Sequence, residues 1–184
     1  IGKLSSLNNI STFMKSQGLD VSVKSIAAYL NYFRDAYLLL TVDRFDIHGK
    51  KLLESNEKIY FGDVGLRNLI AGGERQGDIE KILENIVYQQ LVRMGYAVSV
   101  GQLRAGEVDF VCTKSNERLY VQVAYLIASE ETEEREFGSL DNIKDNYPKY
   151  VISMTPLVRR SDRQGVVHLG LREFLKNGFE KKLP

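Results

Sequence analysis

The sequence predicts an α+β (α/β) chain in which a mixed sheet is flanked by helices, preceded by a smaller, mainly helical segment. Three features predict it. "DIEKILENIVYQQLVRMGY", from Asp78, repeats apolar residues at helical spacing; "YAVSVGQL", "EVDFVCT" and "RLYVQVAYL" then alternate with period two; and a polar helical stretch, two more strands and a short helix follow. The order α-β-β-β-α-β implies strands in one mixed sheet with helices packed on it. At 184 residues the chain suits one sizeable core or two small ones.

Before Asp78, Leu7, Ile10, Phe13 and Met14 recur at helical spacing up to Gly18, and Val23, Ile26, Ala27, Leu30 and Phe33 repeat the pattern after Ser22, which can cap the second helix. "YLLLTVDRFDI" and "KIYFGDV" are β-rich, with the polar run "HGKKLLESNE" between them. Helix, turn, helix and a long-looped hairpin is the order of a winged helix, expected over residues 1–62, with 63–77 as connector and 78–184 as the sheet domain. If DNA is its partner, Lys24, Arg34, Lys50 and Lys51 would meet phosphates, with Ser25 and Tyr29 on the face turned to the groove. A packing or dimerisation module fits the same segment. Asp63 reads as a cap or turn residue, and "GGERQG" lacks the Gly-Lys-Ser/Thr ending of a phosphate loop.

On the helix after Asp78, Ile79, Ile82, Leu83, Ile86, Val87, Leu91 and Met94 share one face. At about 100° per residue, Glu84 falls at the border of that face beside Leu91, where a carboxylate looks into a cleft. In the hairpin around Ser115 and Asn116, a two- or four-residue loop gives one register: Asp109 opposite Gln122 and Glu107 opposite Ala124. Strict alternation puts these four on one face, and Val108, Phe110 and Cys112 on the other. The glutamates from Glu130 to Glu136 suit the first turn of a helix and a solvated face. Tyr120 and Tyr125 read as packing residues, and the sequence shows no partner for His48 or His168.

Composition excludes several classes. Apolar residues are 43% and charged residues 27% of the chain, and no stretch approaches the roughly 18 apolar residues of a membrane span. Twenty-five Lys and Arg against 24 Asp and Glu create no global positive field. One cysteine and two histidines exclude an internal disulfide and a cysteine-rich zinc site, which suits a reducing cytoplasm. The start at Ile1, without methionine or signal pattern, suits a piece of a longer polypeptide.

A helix glutamate, then "VDF" on one strand, then a polar triplet on the next resembles the PD-(D/E)XK, or restriction-endonuclease-like, superfamily. The resemblance implies that Glu84, Asp109 and Gln122 occupy the catalytic positions, with Glu84 and Asp109 as ligands for Mg²⁺. Gln122 stands where the family has a second acid, and Ala124 where it has a lysine; Lys114 and Lys144 are the candidates to replace that lysine. "SIAAYLNYFRDAYLL", "KIYFGDVGLRN", "LENIVYQQLVRMGY", "EVDFVCTK", "LYVQVAY" and "REFGSLDNIKDNYPKYVIS", in this order, resemble the C-terminal region of a family of prokaryotic AAA+ ATPases. That resemblance implies an upstream ATPase module, which alone would bind ATP, a winged-helix segment, and a nuclease-like domain of unknown function. The expected role is a DNA- or partner-binding module without cleavage chemistry; the alternatives are an active Mg²⁺-dependent nuclease and a protein-interaction or assembly module. Expected partners are DNA, the upstream ATPase module and other copies of the chain, with no membrane; no cofactor is expected here unless an active site takes Mg²⁺.

Overall fold

A computed structural model of the chain describes residues 6–71, 78–104, 106–156 and 160–180. The run "GGERQG", residues 72–77, which lacks a phosphate-loop ending, lies outside them. Two helices open the chain, α1 (Leu7–Ser16) and α2 (Val23–Asp35), capped by the hydroxyls of Ser6 and Ser22 as those sequences invite. Strands β1 (Leu39–Asp46) and β2 (Lys51–Phe61) form an antiparallel hairpin. The second strand is longer than its sequence suggests: the polar stretch expected as loop is already strand from Lys51, where Lys51, Leu52 and Leu53 pair with Asp46, Phe45 and Arg44 before the register shifts. Asp63 accepts the Leu66 N–H at 2.6 Å and so starts α3 (Val64–Ala71).

The second part of the chain follows as α4 (Ile79–Arg93), β3 (Ala97–Gln102), β4 (Glu107–Lys114), β5 (Glu117–Ala124), α5 (Glu130–Asp141), β6 (Lys149–Ser153), β7 (Arg160–Arg163), β8 (Val166–Gly170) and α6 (Leu171–Asn177). Gly95, at φ +85°, ends α4 where its sequence predicts, since a left-handed residue costs glycine little. Among the described residues the eight strands make one mixed sheet in the order β2-β1-β3-β4-β5-β6-β8-β7. Neighbours β1 and β3, β5 and β6, and β6 and β8 run parallel, and the remaining pairs antiparallel. The sheet therefore crosses the boundary expected at residue 62: the β1–β2 hairpin is its edge.

Two cores cover the two faces. One gathers Leu83, Val87, Tyr88 and Leu91 of α4 and Phe174 of α6, and takes Leu119, Val121 and Val123 from β5; the other gathers Phe137 and Leu140 of α5 with Tyr120. The two helix layers thus divide the period-two alternation of β5 between them. Among the described residues no helix is long and apolar enough to cross a membrane.

One irregularity in the sheet sets the position of Asp109. On β3 the register moves from Ser99 to Gly101 while on β4 it moves from Val111 to Val108, so β4 carries an extra residue around Asp109 and Phe110. Val108 and Val111 consequently share the α5-side core, while Phe110 and Cys112 lie in the α4-side core. This corrects the strict alternation expected for β4. Gly101 permits the bulge, because a Cβ there would lie 2.8 Å from Ile47 Cδ1 and 3.0 Å from Val111 Cγ2.

Candidate functional site

Of the two loops that fit the expected register, the β4–β5 hairpin has the two-residue turn, with Lys114 paired to Glu117 and Ser115 at positive φ. Regular pairing runs only as far as Phe110 and Val121. Beyond the bulge, side chains take over the ladder: the Asp109 carboxylate accepts the Val123 N–H at 2.8 Å, and the Asp109 N–H donates to Gln122 Oε1 at 3.3 Å. Asp109 is thereby held by two strands while its other oxygen remains for the site.

Facing it is a lysine the sequence reading missed. Lys58 of β2 is 3% exposed, and its Nζ lies 2.8 Å from Glu84 Oε2, 3.2 Å from Glu107 Oε1 and 3.8 Å from Asp109 Oδ1. Glu107 also accepts from Arg44 Nη2 of β1 at 3.0 Å, and Glu84 accepts from the Tyr60 hydroxyl at 3.1 Å. The contact between α4 and β2 that makes this meeting possible is specific. Asn85, fully buried, accepts the Phe61 N–H at 2.8 Å and donates to the Phe61 carbonyl at 2.9 Å, imitating a further strand, while Gln89 donates to the same carbonyl. Tyr60 stacks on Tyr88 of α4 with ring centres 4.7 Å apart.

The electrostatics follow from the burial. Removal from water works against the Lys58 ammonium, but Asp109, Glu84 and Glu107 outweigh it, and its pKa stands above the ordinary lysine value. Asp109 is pushed well above the usual carboxylate range, first by burial and then by the negative charge of Glu84, with Lys58 opposing both. The Tyr60 hydroxyl is raised by burial and by Glu84, so it stays a proton donor.

Of the residues at catalytic positions, Glu84 and Asp109 come together at Lys58, joined by Glu107. Gln122 does not join them there. It falls on the α5 side with Tyr120, where its Nε2 donates to Glu136 Oε2 at 3.1 Å, and it touches Asp109 only through the backbone N–H. Glu136, expected in a solvated run, is buried at 6% exposure and paired also with Arg135. Neither candidate replacement lysine reaches the cluster: Lys114 donates to the Met94 carbonyl and Lys144 to the Asp141 carbonyl. Lys58 was nonetheless signalled. It precedes the core residue Tyr60 by two positions on one strand, so period two turned its side chain to the same core, though not to any particular partner.

Of the residues at DNA-binding positions, Lys24, Tyr29, Lys50 and Lys51 are exposed, Ser25 is half-buried and bonded to Ser22, and Arg34 pairs with Glu57 at 2.6 Å. Tyr120 is buried, with its hydroxyl on Asp145, and Tyr125 packs against the α4-side core. His48 is exposed. His168 is buried, 2.8 Å from the Oγ of buried Ser153, a pair that joins β6 to β8.

The Mg²⁺ implied by the nuclease resemblance does not suit this arrangement. Among the described residues no three acid, histidine or cysteine side chains are placed to hold a metal ion, and the carboxylates that converge do so on an ammonium. The residues as arranged do not fit a hard dication, which needs carboxylate oxygens free to face it.

Residues 1–77 match a protein family described as a domain of unknown function (DUF8612). That match includes Arg44, Lys58 and Tyr60 and ends before Glu84. The chain is 39% identical over 153 residues to an uncharacterized protein of Haemophilus influenzae, covering 83% of this chain and 37% of that protein. It is 32% identical over 146 residues to the uncharacterized protein MJ1544 of Methanocaldococcus jannaschii, covering 76% and 31%. The chain thus spans about a third of the length of these curated relatives. No solved structure matches.

Proposed function

We propose that the chain is the C-terminal part of an AAA+-type ATPase polypeptide and serves it as a DNA-binding module, with a winged-helix-like segment leading into a PD-(D/E)XK-like domain that has lost its cleavage chemistry. The observation that carries this reading is the Lys58 ammonium set among Glu84, Glu107 and Asp109. A nuclease of that kind needs these acids for a metal and a separate lysine for water; here one tethered ammonium sits among the acids, and Gln122 and Ala124 supply neither function. The greater length of the two relatives leaves room for an ATPase module, and Lys24, Lys50 and Lys51 are exposed cations for phosphate contact.

Titration of fluorescent duplex and branched DNA by anisotropy tests the reading. Three phosphate contacts give a loss of affinity of roughly fortyfold between about 50 and about 200 mM salt, and Lys50→Ala with Lys51→Ala flattens that slope. Binding that is absent, or indifferent to salt, sinks the DNA assignment and leaves a protein-interaction module.

A second reading, an active nuclease, has one observation in its favour: Lys58 brings a lysine to Glu84 and Asp109 from another strand, where the position of Ala124 has none. This reading requires the carboxylates to leave the Lys58 ammonium for Mg²⁺ or Mn²⁺, and predicts metal-dependent cleavage that disappears in Asp109→Ala. Intact DNA after incubation with either ion rejects it.

A further inference from the structure

The β4–β5 hairpin has a second end, about 17 Å along β4 from Asp109, and beside it the chain forms a cleft of about 620 Å³. Its walls are aromatic: Tyr96, Tyr147, Tyr150 and Phe179 contribute rings from β3's entry, the β6 approach and the segment after α6. Phe179 meets Tyr150 at 4.3 Å and Tyr96 edge-on at 6.0 Å between ring centres, which braces one wall. Two cations lie against these rings, Lys114 Nζ 5.6 Å from the centre of Tyr96 and the Arg118 guanidinium 5.5 Å from that of Tyr147. Lys114 is held there by its bond to the Met94 carbonyl, which uses one of its three N–H groups.

The lining selects by shape and not by net charge. Lys114 and Arg118 are balanced by Glu117 and Glu180, so a small anion gains little and a small cation competes with two that are already in place. A neutral planar ring is what these walls reward, since flat faces stack on tyrosine and the amides of Asn116 and Asn177 offer donors and acceptors to a polar edge. The volume falls within the roughly 300–1,000 Å³ typical of small-molecule sites.

We propose that this cleft holds an unpaired nucleobase of a DNA strand, its phosphates left outside in solvent. The proposal rests on the DNA-binding function proposed for the chain and adds to it a preference for single-stranded ends or branches. The chain is titrated with a hexathymidylate and, separately, with a blunt duplex. Tyr147 is 41% exposed, so Tyr147→Ala spares the core. Loss of one stacking wall weakens hexathymidylate binding roughly tenfold, Tyr147→Phe restores it, and duplex affinity is unchanged in both variants. In the unaltered chain, a hexamer carrying 5-iodouracil crosslinks to Tyr96, Tyr147 or Tyr150. Hexamer binding that is absent or unaffected by Tyr147→Ala, or crosslinks confined to other residues, overturns the cleft assignment. A chain that binds the hexamer in this way but not the duplex overturns the duplex reading and upholds the cleft.

Discussion

Lys58 is the residue on which the site turns. Buried charges persist when their partners outweigh desolvation, and here one ammonium has three carboxylates within 4 Å. Lys58→Met removes the ammonium and leaves the acids facing one another, so chemical denaturation at neutral pH shows a loss of about 3–5 kcal/mol. The pH dependence separates this from lost packing. A lysine whose folded pKa is raised contributes stability that is complete below its ordinary value near 10.4 and lost as pH rises through the folded value; the unaltered chain therefore has an added alkaline destabilisation that Lys58→Met lacks. For Asp109 the sign is opposite to that of an ordinary paired carboxylate. Its raised folded pKa favours the native state below its unfolded value near 3.9, and that contribution fades as pH rises through the folded value. In Lys58→Met, where Lys58 no longer opposes it, this fading extends to higher pH, and melting temperatures measured from acid to neutral pH fall more steeply than in the parent.

Among the elements, the docking of α4 on β2 matters most, because it brings Glu84 to Lys58. Asn85 supplies both a donor and an acceptor to Phe61, and it is fully buried. Asn85→Ala leaves the Phe61 N–H without its acceptor, and the expected cost is about 1–3 kcal/mol in urea unfolding. Asn85→Leu, closer in volume, does no better, since the deficit is polar; recovery in the leucine variant would show that packing alone holds the helix. The bulge in β4 is the other decisive element. It ends regular pairing at Phe110 and releases the Asp109 side chain to serve both β5 and the ammonium.

At the scale of the whole molecule, the β1–β2 hairpin joins the N-terminal half to the sheet. It pairs in parallel with β3 through Arg44, Phe45 and Asp46, and it carries Lys58. A chain cut to residues 63–184 loses Lys58 and Arg44 and uncovers the β3 edge with part of the α4-side core. Such a fragment is expected to aggregate or to lack a cooperative thermal transition by circular dichroism, whereas a compact, cooperatively melting fragment would show that the sheet stands without its hairpin.

Much of this was legible in the residues. Ser22, Asp63 and Gly95 mark their helix ends because capping is local chemistry, and the β4–β5 register follows from a turn centred on Ser115 and Asn116. Glu84 at the edge of its helix face and Asp109 on its strand were likewise readable, since periodicity assigns faces within an element. Lys58 as their partner, Gln122 turned to Glu136, and the extra residue in β4 were not. Each depends on which strands become neighbours across long stretches of chain, and a local period carries no information about that choice. Parallel pairing of β1 with β3 and the Asn85 clamp made it, and they placed an ammonium among three carboxylates where the resemblance implied a metal.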